Sequence, residues 1–100
     1  MIRININYQD NYINEITLEG HANYSDFGSD IVCAAVSATY LCSVNGILSI
    51  DEDSIEISSK KNKHTLKVKK NNLTINKLLE NMIRCLKSLE VDYPKNINIR

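Results

Sequence analysis

The segment from Ile31 to Val44 most restricts the folds open to this chain. Ile31, Val32, Ala34, Ala35, Val36, Ala38, Tyr40, Leu41, Cys42 and Val44 leave it little polar face. A helix that is apolar almost all round is buried against more than one neighbour. The chain has 100 residues, enough for one modest core and not for two. Everything else must then pack about this helix. The pattern predicts a helix from about Asp30 to Asn45, with Asn45-Gly46 as a C-cap or Ile47 to Ile50 as a continuation.

The flanking segments supply sheet. Ile2, Ile4, Ile6 and Tyr8 alternate with Arg3, Asn5 and Asn7, a period of two that predicts a strand with one buried face. Gln9-Asp10-Asn11 is a turn. Ile16 and Leu18 alternate with Glu15, Thr17 and Glu19 and complete a hairpin. After the helix comes an acidic turn, Asp51-Glu52-Asp53. A third strand through Ile55 and Ile57, a lysine-rich turn over Lys60 to Lys63, and a fourth strand through Leu66 and Val68 follow. From Leu73 or Ile75 to about Glu90, Ile75, Leu78, Leu79, Met82, Ile83, Leu86 and Leu89 recur at three- and four-residue steps, the cleanest helical period in the chain. Lys77, Glu80, Arg84 and Lys87 line its solvent side. Pro94 forbids continuation, and Ile97 and Ile99 mark a closing strand. The expectation is an α+β fold in one domain, 1–100, of order ββαββαβ. Its sheet is antiparallel or mixed, with both helices on one face.

Twelve basic and twelve acidic side chains cancel. That argues against binding nucleic acid mainly through charge. It also predicts poor solubility unless a partner covers some surface. The N-terminus MIRININYQD is not a signal peptide in pattern, and no apolar run is expected to approach the ~20 residues that cross a bilayer. Three cysteines without a CxxC spacing do not suggest a disulfide framework. Free thiols persist in a reducing cytosol, which places the protein in the cytoplasm.

The chemistry concentrates in GHANYSDFGSDIVCAAVSATY, from Gly20 to Tyr40. Strand parity would put Gly20 on the core side and His21 on the other, so the strand must break near Gly20 if His21 is to approach the helix; glycine permits the break. Ser29 and Asp30 are N-cap residues by type, which would seat Cys33 in the first helical turn, among unpaired amides at the positive end of the helix dipole. The thiolate is the nucleophilic form of cysteine, and His21 is a candidate base at the far end of the intervening loop. Each residue has a plainer reading. A cysteine in an Ala/Val-rich helix is commonly inert core. A lone histidine is commonly structural. Tyr24 and Phe27 either tuck into the core edge or touch substrate. Gly28 is a hinge or a turn residue. Asp30 caps the helix or, as a third catalytic member, orients His21. Ser37, one turn after Cys33, shares its helix face and bonds either the thiolate, the substrate or its own helix carbonyl. The oxyanion donor expected is the Cys33 amide with its neighbours at the helix start. His64 is structural or exposed, and Cys42 and Cys85 are core.

Gly20-His21, a loop containing Gly28, and Asp30-Ile31-Val32-Cys33-Ala34-Ala35-Val36-Ser37 resemble the signature of the ribosomal-processing cysteine proteases (Prp) of low-GC bacteria. The length and element order of the rest of the chain also fit that family. The resemblance implies Cys33 as nucleophile and His21 as the general base that later protonates the leaving amine. The positions expected to support catalysis or bind substrate are Gly20, where the substrate backbone approaches, with Tyr24, Phe27, Gly28, Asp30 and Ser37. The implied substrate is the N-terminal extension of a large-subunit ribosomal protein, the twenty-seventh in the usual naming, cut after an apolar, aromatic-containing motif. A homodimer is implied as well. No cofactor is expected, and no metal, since His21 and Cys33 give two ligands where structural zinc wants four. Neither membrane nor direct nucleic-acid binding is expected. The loop from Ala22 to Ser29 is expected to cover Cys33 and move aside for peptide. A rival reading is a non-catalytic ribosome-associated module that docks through the lysines of the Lys60–Lys70 hairpin. A redox-sensing thiol is weaker, because no resolving cysteine lies near Cys33 in sequence.

Overall fold

The computed structural model describes the backbone of residues 1–20 and 27–100 and the side chains of 1–20 and 31–100. The elements are β1 (Ile2–Gln9), β2 (Tyr12–Glu19), α1 (Phe27–Ile50), β3 (Ile55–Lys60), β4 (Lys63–Val68), α2 (Leu73–Asp92) and β5 (Ile97–Ile99). The strands form one mixed sheet in the order β3-β4-β2-β1-β5. Every neighbouring pair is antiparallel except β1 and β5, which run parallel with Ile2 opposite Ile97. The architecture is the expected α+β one.

Asp10 and Asn11, at φ 52° and 70°, turn the first hairpin. Two such residues are the requirement of a type I′ turn, whose twist matches that of the strands. The register then slips between Asn7 and Tyr8, so that Asn7 faces Glu15 while Tyr8 faces Ile13. This bulge lets Ile13 and Ile16, three apart in sequence, both reach the core, at 1% and 0% exposure. Tyr8, expected on the buried face, is 59% exposed, just past the bulge where the register slips. The pairing of β2 with β4 begins only at Glu15. Ile13 precedes it, and its backbone is met by side chains: its N–H donates to Asn76 Oδ1 at 2.8 Å and its C=O accepts from Asn71 Nδ2 at 2.9 Å. Two asparagines thus stand in for a strand, which explains why Asn76 is buried on the apolar face of α2.

α2 follows its periodicity. Asn72 caps it, its side chain accepting the Ile75 N–H at 2.9 Å, and Ile75, Leu79, Met82, Ile83 and Leu86 are buried. α1 departs from expectation in three ways. It spans 24 residues and begins at Phe27 rather than near Asp30; at its other end it takes the expected continuation to Ile50 instead of a cap at Gly46, and buries Ile47. Its stretch Ile31–Ile50 is by length and composition long enough to cross a membrane, contrary to the expected absence of such a run; Val32, Val36, Tyr40, Val44 and Ile47 are nevertheless packed into the protein core. And it is not buried all round. Those five residues form one stripe, while Ile31, Ala34, Ala38, Leu41 and Cys42 are exposed. Cys42 is turned about 200° from Tyr40 on the helix, and Cys85 lies beside the Met82–Leu86 stripe rather than in it. Both thiols are therefore exposed, not core.

Candidate active site

Glycine at position 20 is dictated by the backbone. Its φ is +96°, and a Cβ there would sit 2.5 Å from the carbonyl oxygen of Met1. The strand β2 ends at Glu19, so the break expected at Gly20 is present. The Gly20 N–H is held by the Asn62 carbonyl at 3.0 Å, in the turn between β3 and β4.

That junction is one side of a cleft of about 480 Å³. The cleft crosses one end of the sheet, where β1 and β4 start and β2 and β3 finish, beneath the first half of α1. Gly20, Cys33 and Ser37 all line it. Cys33 is partly buried and packs against the core through neighbouring apolar groups, and Ser37, one turn on, is exposed. Farther along α1, Tyr40 and Leu41 continue the wall, and Ile57, Ser59 and His64 form the floor from β3 and β4. The exposed His64 is drawn to this place by register. Leu18 and Ser59 flank it in the sheet, and its ring meets Tyr40 at 5.9 Å between centroids, tilted by 47°. Burial pushes the Tyr40 phenol above its ordinary value. Nothing in the local sequence marks Ile57 or His64 as cleft residues; only strand pairing brings them to the helix.

The start of α1 changes the electrostatic argument. The helix begins at Phe27, so Cys33 is its seventh residue and lies in the second turn. The unpaired amides end with the first turn, and their field falls off over that distance. The amide of Cys33 is committed within the helix and does not serve as an oxyanion donor. Asp30, four residues into α1, is not its N-cap. His21 and Tyr24, and the covering role given to the loop from Ala22, lie outside the described residues. So do the side chains of Phe27 and Asp30 and the surroundings of Gly28.

A partly buried thiol in an apolar-walled cleft that is open to solvent is suited to attack on a carbonyl carbon of an extended chain. Comparison with known proteins points the same way. Residues 1–98 match the model of a family described as cysteine protease Prp. The ribosomal processing cysteine protease Prp of Staphylococcus aureus (strain Mu50) is 31% identical over 103 residues, covering 99% of this chain and 97% of that protein. Two crystal structures of the S. aureus protease, one with a covalently linked product peptide and one with a substrate peptide, superpose with a TM-score of 0.90 each, at 28% and 27% identity, over 100% of this chain and 98% of theirs.

Proposed function

This chain belongs to the Prp family of cysteine proteases, and from that premise we propose that it removes the N-terminal extension of the twenty-seventh large-subunit ribosomal protein in the cytoplasm. Cys33 attacks the scissile carbonyl and forms a thioester; His21 takes the thiol proton and returns it to the leaving amine; water then releases the acyl group. The observation that carries the reading is the seating of Cys33 in an open cleft together with Gly20, the chain neighbour of His21. Because Cys33 is a full turn beyond the free amides of α1, activation of the thiol rests on the base rather than on the helix end. Ser37, on the same face and in the same cleft, donates a hydrogen bond to the thiolate or the bound peptide.

The protein acts as a homodimer joined through the outer face of α1. Ile31, 49% exposed, lies there with the exposed Ala34, Ala38 and Cys42, an apolar stripe on a molecule with no net charge to keep copies apart. Ile31→Glu with Ala38→Glu converts the dimer to monomer in sedimentation velocity if this face is the interface.

The deciding experiment incubates the purified protein with tagged ribosomal-protein precursor, beside Cys33→Ala and His21→Ala. Wild type shortens the precursor and neither variant does. Equal cleavage by all three defeats the proposal. A docking module working through Lys67 and Lys69 predicts the reverse pattern, in which the Cys33 variant keeps function and the lysine variants lose it.

A further inference from the structure

On the face of the sheet turned away from the cleft, charge is sorted into rows. Alternate residues of a strand point to opposite faces. With Ile4, Leu18 and Leu66 in the core, Arg3, Glu19 and Lys63 point the other way. Strand pairing lines them up: Lys60 stands opposite Lys63, Lys63 opposite Glu19, and Glu19 opposite Arg3. The row crosses β3, β4, β2 and β1 in that order, about 14 Å at ~4.8 Å per strand. Lys61 continues it in the turn. These four cations are exposed, share the row with one carboxylate, and make no ion pair among the described residues. The next row is uncharged, Ser58, Thr65, Thr17 and Asn5. The third holds Lys67 between Glu56 and Glu15, and Glu56 also meets Lys69 at 3.3 Å. The positive charge of the β3–β4 hairpin is therefore compensated at its base and uncompensated at its tip. Two local costs attend that tip. Like charges directly opposite in a sheet repel, and Lys61 sits at φ 50°, left-handed space where glycine or asparagine is preferred.

We propose that the row from Lys60 to Arg3 is a docking track for the phosphate backbone of RNA. A single carboxylate or free phosphate cannot span cations about 14 Å apart, at ~4.8 Å per strand, whereas a chain charged at every unit can. The neighbouring hydroxyl and amide groups of Ser58, Thr65 and Asn5 are of the kinds that bond phosphate and sugar oxygens. No aromatic side chain stands in the three rows, so bases find nothing to stack on and binding is indifferent to sequence. The balanced total charge conceals this separation; the argument it gives against nucleic acid applies to the whole surface and not to this row. The choice of RNA among polyphosphates rests on the ribosomal substrate proposed above, and the track itself does not. Lys61 both ends the row and lines the cleft, so RNA held here lies beside the site of cleavage.

Fluorescence anisotropy of a short labelled single-stranded RNA with the full-length protein reads binding apart from cleavage. Three phosphate contacts at ~0.7 each give log K against log salt a slope of about −2 between about 50 and 200 mM. Lys60→Gln with Lys63→Gln brings the slope to about −0.7 and weakens binding about tenfold or more at the lower salt. Lys67→Gln with Lys69→Gln makes the same change in net charge but removes compensated lysines, and weakens binding less than about threefold. Lys60→Gln alone raises the melting temperature by ending the like-charge pair while it weakens RNA binding, opposite signs that a purely structural role does not produce. Poly-glutamate at equal charge concentration displaces the RNA poorly. The track is refuted if wild type binds no RNA at low salt, if the two double variants weaken binding equally, or if poly-glutamate displaces the RNA as well as unlabelled RNA does. RNA binding with this pattern upholds the track even where the precursor is not cleaved, an outcome that removes the peptidase reading alone.

Discussion

Replacing Gly20 by alanine tests the backbone geometry at the mouth of the cleft most sharply. Two costs add. An L-residue held at φ +96° lies in left-handed space, a penalty of about 1–2 kcal/mol. The new Cβ also meets the Met1 carbonyl oxygen at 2.5 Å. That oxygen is main chain and cannot rotate away; the start of β1 must shift, although Ile2 is pinned by donating its N–H to the Asn96 carbonyl at 2.8 Å. Overpacking of this kind costs about 1–3 kcal/mol. The sum is roughly 2–5 kcal/mol, a large share of the ~5–15 kcal/mol that holds a domain together. At about 4–8 °C per kcal/mol for a chain of this size, the melting temperature falls by roughly 10 °C or more. Gly46→Ala is the internal control. It makes the same chemical change inside α1, where an added Cβ meets nothing within 4 Å, and it stabilises by about 0.5–1 kcal/mol. Thermal and urea unfolding followed by circular dichroism read both. A Gly20→Ala protein within about 1 kcal/mol of wild type, or one that shifts in the same direction as Gly46→Ala, refutes the reasoning.

Asn76→Ala strips a buried Ile13 N–H of its acceptor and lowers unfolding stability by about 1–3 kcal/mol, measured in urea. Asn72→Ala removes the cap of α2 and costs about 1 kcal/mol in the same assay. Cys42→Ser and Cys85→Ser, at exposed positions, change stability by no more than about 0.5 kcal/mol; a core loss of several times that returns both thiols to the interior. Tyr40 holds its phenolic proton more tightly when folded than when unfolded. Its contribution is therefore intact below the ordinary tyrosine value of 10.0 and is lost as pH rises through the folded value. Tyr40→Phe flattens that part of the alkaline decline in melting temperature.

Local periodicity carried most of the architecture. The strands and α2 are legible because their apolar positions recur at two and at three to four residues, and each pattern meets a single covering layer. α1 is poorly legible for the opposite reason. With apolar residues on every side, its sequence does not distinguish the stripe facing the core, Val32 to Ile47, from the uncovered positions, Ile31 and Leu41 among them. Its start lies earlier than the local sequence indicates, because Ser29 and Asp30 have the chemistry of a cap but stand inside the helix. Gly20, Cys33 and Ser37 fall in one cleft because they are close in sequence and joined by the break after β2. Ile57 and His64 reach it through the β2–β4 and β3–β4 registers, a long-range placement that no local pattern encodes.

The pairing of β1 with β5 orders events during the chain's own biogenesis. A nascent chain emerges N-terminus first, so β1 leaves the ribosome well before β5. One flank of β1 stays bare until the segment through Arg100, whose N–H donates to the Ile4 carbonyl at 2.8 Å, has followed it out, and only then can the sheet close.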